Sequence, residues 1–203
     1  MSTEPGRRLP PDARREEILA AAHRLFAARP YAQVSTTDIA AAAGVARGLL
    51  NHYFGTKRDL YVEVVRGMTA VPEVTTELVT GSLKARVDLG VSWYLDIAKE
   101  QGQTFLDLVG AEGPAADPEV EAILAQADDL AARRVLEVLG LDTDDPALRG
   151  VVRAYGGLAK AAVKEWLRTG SLSRDDVHLL LTTALRALAK DVLPVVGNLP
   201  TRR

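Results

Sequence analysis

The sequence predicts an all-α protein, and three observations predict it. Ala, Leu, Arg and Glu, all good helix formers, are abundant. Gly and Pro fall mostly where a helix would end, and no alternating Val/Ile/Thr-rich run of strand length is present. Apolar residues recur three and four apart, the spacing that lays a stripe along one helix face. With 203 residues and 47% hydrophobic content, the chain can bury a substantial core, in one domain or two.

Taken in order, residues 1–11 hold Pro5, Gly6, Arg7, Arg8, Pro10 and Pro11, the composition of a mobile N-terminal arm. Asp12 is placed to cap a helix to about Ala28, with Ile18, Leu19, Ala22, Leu25 and Phe26 as its apolar stripe. Pro30 stops it, and Tyr31 and Val34 are expected to fold back onto the N-terminal helices. Ser35 and Asp38 form a capping box, in which each side chain takes the other residue's amide and so fixes the start of a short helix. Ile39, Ala40 and Ala43 share one face of that helix. Gly44 reverses the chain without a Cβ penalty. The helix that follows, about Ala46 to Phe54, turns Leu50 and Phe54 inward and leaves Arg47, Gly48, Leu49, Asn51, His52 and Tyr53 outward. Thr56 and Asp59 repeat the capping box and open a connector through Leu60, Tyr61, Val64 and Val65 to about Ala70, which Pro72 ends.

Val74 to Gly81 reads as a loop or a short helix. Leu83 to about Gln101 reads as a long helix, broken by Gly102, and Gln103 to Val109 as a short apolar one. Asp117-Pro118 is a helix start, and the pattern runs from Glu119 to Leu139 before Gly140. Two last helices are expected from Pro146 to about Arg168 and from Ser173 to about Val192. Gly156-Gly157 costs the first of them about 1 kcal/mol per Gly relative to Ala, which close approach to a neighbour would explain. The second is apolar around more than half its circumference, so part of it is expected to meet a second subunit.

Composition narrows the function classes. The chain has no Cys, which excludes disulfides and thiolate chemistry and suits a reducing cytoplasm. No apolar run approaches a membrane span, and the first residues lack the apolar stretch of a signal peptide. His23, His52 and His178 lie in three different helices without metal-ligand spacing, and no nucleophile elbow, P-loop or dinucleotide fingerprint is present. No enzyme, metal or cofactor is expected. The net charge of −2 divides unevenly: residues 1–66 hold 10 Lys+Arg against 7 Asp+Glu, and the rest 15 against 20. A basic head on an acidic body suits nucleic acid.

The stretch AGVARGLLNHYFGTKRDL resembles the signature of the TetR family of bacterial transcriptional regulators. It joins Ile39-Ala40, Ala43-Gly44-Val45, Gly48, Leu50, Tyr53-Phe54, Lys57 and Leu60 at the family's spacing, over roughly residues 12–62. Two departures stand out: Ala46 replaces the usual Ser or Thr cap of the recognition helix, and Asn51 replaces a phosphate-binding Tyr. Asn51 suits either a phosphate or an adenine edge. The resemblance implies an N-terminal arm (1–11), a three-helix helix-turn-helix DNA-binding head (12–56) and a helical ligand-binding and dimerisation body (57–203). It further implies a cytoplasmic homodimer, most simply a repressor released from a pseudo-palindromic operator by a small molecule. An activator without an inducer is an alternative, as is a helical adaptor that binds proteins.

The expected DNA contacts are Ser35, Thr37, Arg47, Gly48, Leu49, Asn51, His52, Tyr53 and Lys57. A mainly apolar effector is expected at Trp93, Phe105, Val109, Leu124 and Tyr155, with Gln101, Gln103 or Gln126 as polar contacts, although the same residue types also fill cores. The dimer interface is expected at Gly156, Ala159, Val163, Val177, Leu181, Ala184 and Leu188.

Overall fold

A computed structural model of the chain describes residues 10–69, 80–109 and 117–197, all helices and connecting turns with no strand among them. Four helices make the N-terminal part: α1 (Pro11–Ala28), α2 (Thr36–Ala42), α3 (Arg47–Phe54) and α4 (Lys57–Met68), with a 3-10 turn at Tyr31–Gln33. Four further helices follow: α5 (Leu83–Val109), α6 (Pro118–Leu139), α7 (Pro146–Lys164) and α8 (Arg174–Ala187). A short α9 (Leu193–Gly197) ends the described chain. The expected arm and the loop at Val74 to Gly81 fall almost wholly outside the described residues.

The helix starts follow local chemistry. Ser35 Oγ accepts from the Asp38 amide at 3.0 Å and Asp38 returns to the Ser35 amide at 3.1 Å. Thr56 and Asp59 do the same at 3.1 and 3.0 Å. Asp117 caps α6, taking the Glu119 amide at 3.0 Å. Two expectations differ. Asp12 does not cap α1, because the helix already begins at Pro11, a residue with no amide to satisfy; Asp12 lies in its first turn. The last helix does not stop near Val192: a π turn at Leu188–Val192 carries it into α9.

Gly102 interrupts α5 at φ 52° and ψ −121°. The reason for glycine is packing as well as dihedral: a Cβ there would stand 2.6 Å from the carbonyl oxygen of Ala27 at the end of α1. The kink thus seats the body directly on the first helix.

Apolar burial falls into three clusters. One joins Ile18, Phe26, Ile39, Leu50 and Phe54 to Leu60, Tyr61 and Val65 of α4, and reaches Val120 of α6, so its packing runs without a break from the first three helices into the connector. A second brings Val87, Val91 and Leu95 of α5 against Val163 of α7 and Val177 and Leu181 of α8. The third holds Ala132, Leu136, Leu148, Val152 and Leu193 together. Between α1, α4 and α5 lies a cleft of about 390 Å³, lined among others by Leu19, His23, Val64, Met68 and Gln101.

Candidate nucleic-acid interface

The recognition surface follows from the inward pair on α3. Leu50 is fully buried and Phe54 6% exposed, four residues apart on the core face. The rest of the helix is thereby turned out: Arg47, Gly48, Asn51 and His52 are exposed, and Leu49 and Tyr53 half-buried at the edges. Tyr53 meets the His52 ring at 5.7 Å and packs on the head's core. Ala46 stands at the N-cap without a side-chain bond, so the first amides of α3 carry no side-chain cap. Ser35 and Thr37, at the start of α2, are exposed.

Both capping carboxyls sit below the ordinary carboxylate range. For Asp38 the main cause is the bond from the Ser35 amide, and for Asp59 the bond from the Thr56 hydroxyl. Each stays ionised and anchors a helix start whose dipole is positive outward.

Lys57, at the first position of α4, is not loose. Its ammonium donates to the Tyr31 carbonyl at 2.7 Å and lies 4.0 Å from the centre of the Tyr31 ring. Partial burial lowers its pKa. Tyr31 in turn stacks on Phe26 and meets Tyr61 edge-on, at 5.7 and 4.7 Å between centroids. Arg58, next in sequence, turns away into a bidentate pair with Asp117 at 2.6 and 2.7 Å and reaches Glu119 at 3.1 Å. Arg66 joins the same Glu119 at 2.7 Å. These pairs, which raise the Arg58 pKa and lower that of Asp117, fasten α4 to the start of α6. Partners 53 to 61 residues apart leave no signal in the sequence, and a charge count over residues 1–66 includes both arginines without showing that they are paired.

The body places its predicted residues less as expected. Trp93 is 45% exposed on the outer face of α5; it is the next residue, Tyr94, that turns in to meet Phe105 at 6.3 Å. One residue is 100° of helix, enough to exchange the faces. Tyr155 belongs to the same cluster and donates to the Leu181 carbonyl at 3.1 Å. Burial raises the phenol pKa of both tyrosines, and the Tyr94 hydroxyl is buried without a hydrogen-bond partner among the described residues. Leu124 packs on the head's cluster instead, and Val109 is half-buried at the end of α5. Gln101 meets His23 at 2.7 Å in the cleft, Gln103 bonds Asp107 at 2.8 Å, and Gln126 is exposed. Of the residues expected to hold a ligand, the cleft therefore takes in Gln101, while Trp93, Phe105, Val109, Leu124 and Tyr155 are not among those that line it.

The expected dimer residues need correction. Val163, Val177 and Leu181 are fully buried within the chain and Ala159 is 5% exposed, so these four are core, not contact surface. Gly156, Ala184 and Leu188 are half-buried, and a Cβ on Gly156 or Gly157 meets no described atom within 4 Å, so no close crossing among the described residues explains the glycines. Both helices have a second apolar face, and periodicity does not say which one the same chain covers. The uncovered faces carry Ala154, Gly157, Leu158 and Ala161 on α7 and Leu179, Leu180, Thr183 and Ala187 on α8, all exposed.

A capped three-helix head with an outward recognition helix, fixed on a larger helical body, defines a helix-turn-helix DNA-binding regulator. Comparison with known proteins supplies the family. Residues 18–64 match the model described as "Bacterial regulatory proteins, tetR family". The HTH-type transcriptional activator FasR of Mycolicibacterium smegmatis (strain ATCC 700084 / mc(2)155) is 27% identical over 172 residues, 80% of this chain and 76% of that protein. The crystal structure of a tetR-family transcriptional regulator from Streptomyces coelicolor matches with a TM-score of 0.78 and 25% identity, over 93% of this chain and 87% of that one. FadR from Bacillus subtilis, solved in complex with stearoyl-CoA, shares the fold alone: its TM-score is 0.61 at 18% identity, over 87% of this chain and 98% of its own. Residues 18–64 thus match the DNA-binding segment of the TetR family, and over most of its length the chain is similar to transcriptional regulators of that family.

Proposed function

We propose that the protein is a cytoplasmic, dimeric repressor that reads a pseudo-palindromic operator with α3 and leaves it when a small, mainly apolar effector occupies the body. The observation that carries the DNA half is the outward face of α3, where Arg47, Asn51 and His52 stand exposed beside two capped helix starts. Arg47, Asn51 and His52 read bases, and Leu49 meets a thymine methyl. Ser35, Thr37, Tyr53 and Lys57 hold phosphates, helped by the amides at the starts of α2 and α4. Gly48 leaves room for close approach. Residues 12–56 form the reading head and 57–203 the effector and dimer body.

Among the described residues no helix is long and apolar enough to cross a membrane. The dimer forms through the exposed apolar faces of α7 and α8, with Leu158, Leu179 and Leu180 at its centre, since patches of this kind mark interaction sites. The effector lies against Phe105, Tyr155 and Val109, with Tyr94 in the place expected of Trp93. The unpartnered Tyr94 hydroxyl gives it a donor. Stearoyl-CoA, bound by a protein of this fold, is a sensible first compound to try.

The test is selection of binding sites from random-sequence duplex, followed by titration of the best site with the full-length protein. A two-fold symmetric site with half-sites about one turn apart is the expected result. An asymmetric or absent preference refutes the operator half, and release by no compound of a broad screen refutes the effector half. An activator is the second reading, favoured by the relative FasR, which is described as one. A transcription assay in which the protein raises output from the selected site would establish it.

A further inference from the structure

We propose that Asp107 is a positioning residue for DNA binding, acting through Tyr31 to set the ammonium of Lys57. The inference rests on the reading that Lys57 meets a phosphate, and it adds what holds the lysine ready. One residue, Tyr31, takes both ends of the link. Its amide donates to Asp107 Oδ2 at 2.9 Å, while its carbonyl accepts from Lys57 Nζ at 2.7 Å and its ring lies beneath the same ammonium. Asp107 is oriented from its other oxygen, Oδ1, by the Gln103 amide at 2.8 Å. The segment carrying both residues is pinned by Gly102 against the end of α1, two residues before Arg29-Pro30. Body segment and DNA-end lysine are therefore joined by two hydrogen bonds through a single residue, Tyr31.

An ammonium has three donors. With one on the Tyr31 carbonyl and one side against the ring, the remaining donors face outward at the capped start of α4, where an anion is already favoured. Without Asp107 the Tyr31 turn loses its tie to the body, and Lys57 becomes an ordinary mobile lysine that must be ordered when the duplex binds. This link reaches the DNA end of α4 without passing along the helix from its far end.

The experiment is a double-mutant cycle with the full-length protein on its best selected duplex, measured over a range of salt. Lys57→Ala is expected to weaken binding and flatten the salt slope by about one unit per subunit. Asp107→Ala is expected to weaken it about three- to tenfold, the loss of one hydrogen bond's worth of ordering, and to flatten the slope in the same direction. Combined with Lys57→Ala, it should add nothing. Asp107→Asn keeps an acceptor for the Tyr31 amide and is expected to bind like the native protein. In the DNA-free protein, the Lys57 side-chain NMR signals, shifted by the Tyr31 ring, should move to exposed-lysine positions in Asp107→Ala. If Lys57→Ala binds unchanged, the phosphate reading itself is wrong. If Lys57→Ala weakens binding but the two substitutions add independently, or the Lys57 signals stay in place in Asp107→Ala, the phosphate reading stands and the positioning role is overturned.

Discussion

Gly102→Ala puts the junction of head and body under a defined load. Two costs are set by the structure. An L-residue at φ 52° and ψ −121° occupies a region that glycine alone adopts easily, a strain of about 1–3 kcal/mol. The added Cβ would also lie 2.6 Å from the Ala27 carbonyl oxygen, a backbone atom with no rotamer to escape into, and overpacking of that kind costs about 1–3 kcal/mol. Together they give about 2–6 kcal/mol, less whatever the turn relieves by shifting. At about 2–4 °C per kcal/mol for a chain of this size, Tm should fall by roughly 5–20 °C in a thermal melt followed by circular dichroism. Gly90→Ala, in the regular part of the same helix with no described atom within 4 Å of the new Cβ, should instead gain about 0.5–1 kcal/mol. A Gly102→Ala protein that melts within 2 °C of the native one, or a Gly90→Ala protein that loses as much, would refute the account of the kink.

Four other outcomes are expected. Leu158→Asp combined with Leu180→Asp should give monomers by light scattering with helix content intact, whereas a substitution at buried Leu181 to Ala should cost about 2–5 kcal/mol of stability wherever the partner sits. Arg47→Ala should relax preference at one base position of the selected site, read by competition with single-base variants, and change the others little. Acid should loosen the caps of α2 and α4: the Asp38 and Asp59 carboxyls titrate lower folded than unfolded, so their contribution is complete above the ordinary carboxylate range near pH 4. It is lost as pH falls through the folded values, and Ser35→Ala with Thr56→Ala should remove that part of the pH dependence of the melt. Tyr94→Phe, which removes only the unpartnered hydroxyl, should leave operator affinity unchanged and weaken release by the effector, measured by fluorescence anisotropy of labelled duplex.

What the sequence made legible was local. Both capping boxes, the uncapped Ala46, the inward pair Leu50 and Phe54 and the break at Gly102 all rest on spacings of a few residues, and the structure has each of them. What it left illegible depends on which element lies across from which. Trp93 and Tyr94 are equally aromatic, and only the position of α5 over α7 and α8 decides that the second turns inward. Val163 and Leu181 lie on apolar stripes that would serve a partner equally well, because a helix with two apolar faces does not announce which one its own chain covers. Arg58 and Lys57 were adjacent cations at a helix start, and carboxylates and a carbonyl far along the chain gave them different tasks.

The pairing of the head's cations has one more consequence. Of its described lysines and arginines, Arg14, Arg15, Arg29, Arg58 and Arg66 all face a carboxylate within 4.0 Å, and only Arg24, Arg47 and Lys57 have no ion pair among the described residues. The number of counterions released on binding duplex is set by cations that reach phosphate, at a slope of about 0.9 per contact, and not by the formal surplus of the segment. On the proposed reading, with Arg47 and Lys57 as the cationic contacts that the described residues of each subunit supply, these residues account for few released ions. On that reading a shallow dependence of duplex affinity on salt is expected, with base edges and backbone amides carrying more of the binding than phosphate charge does.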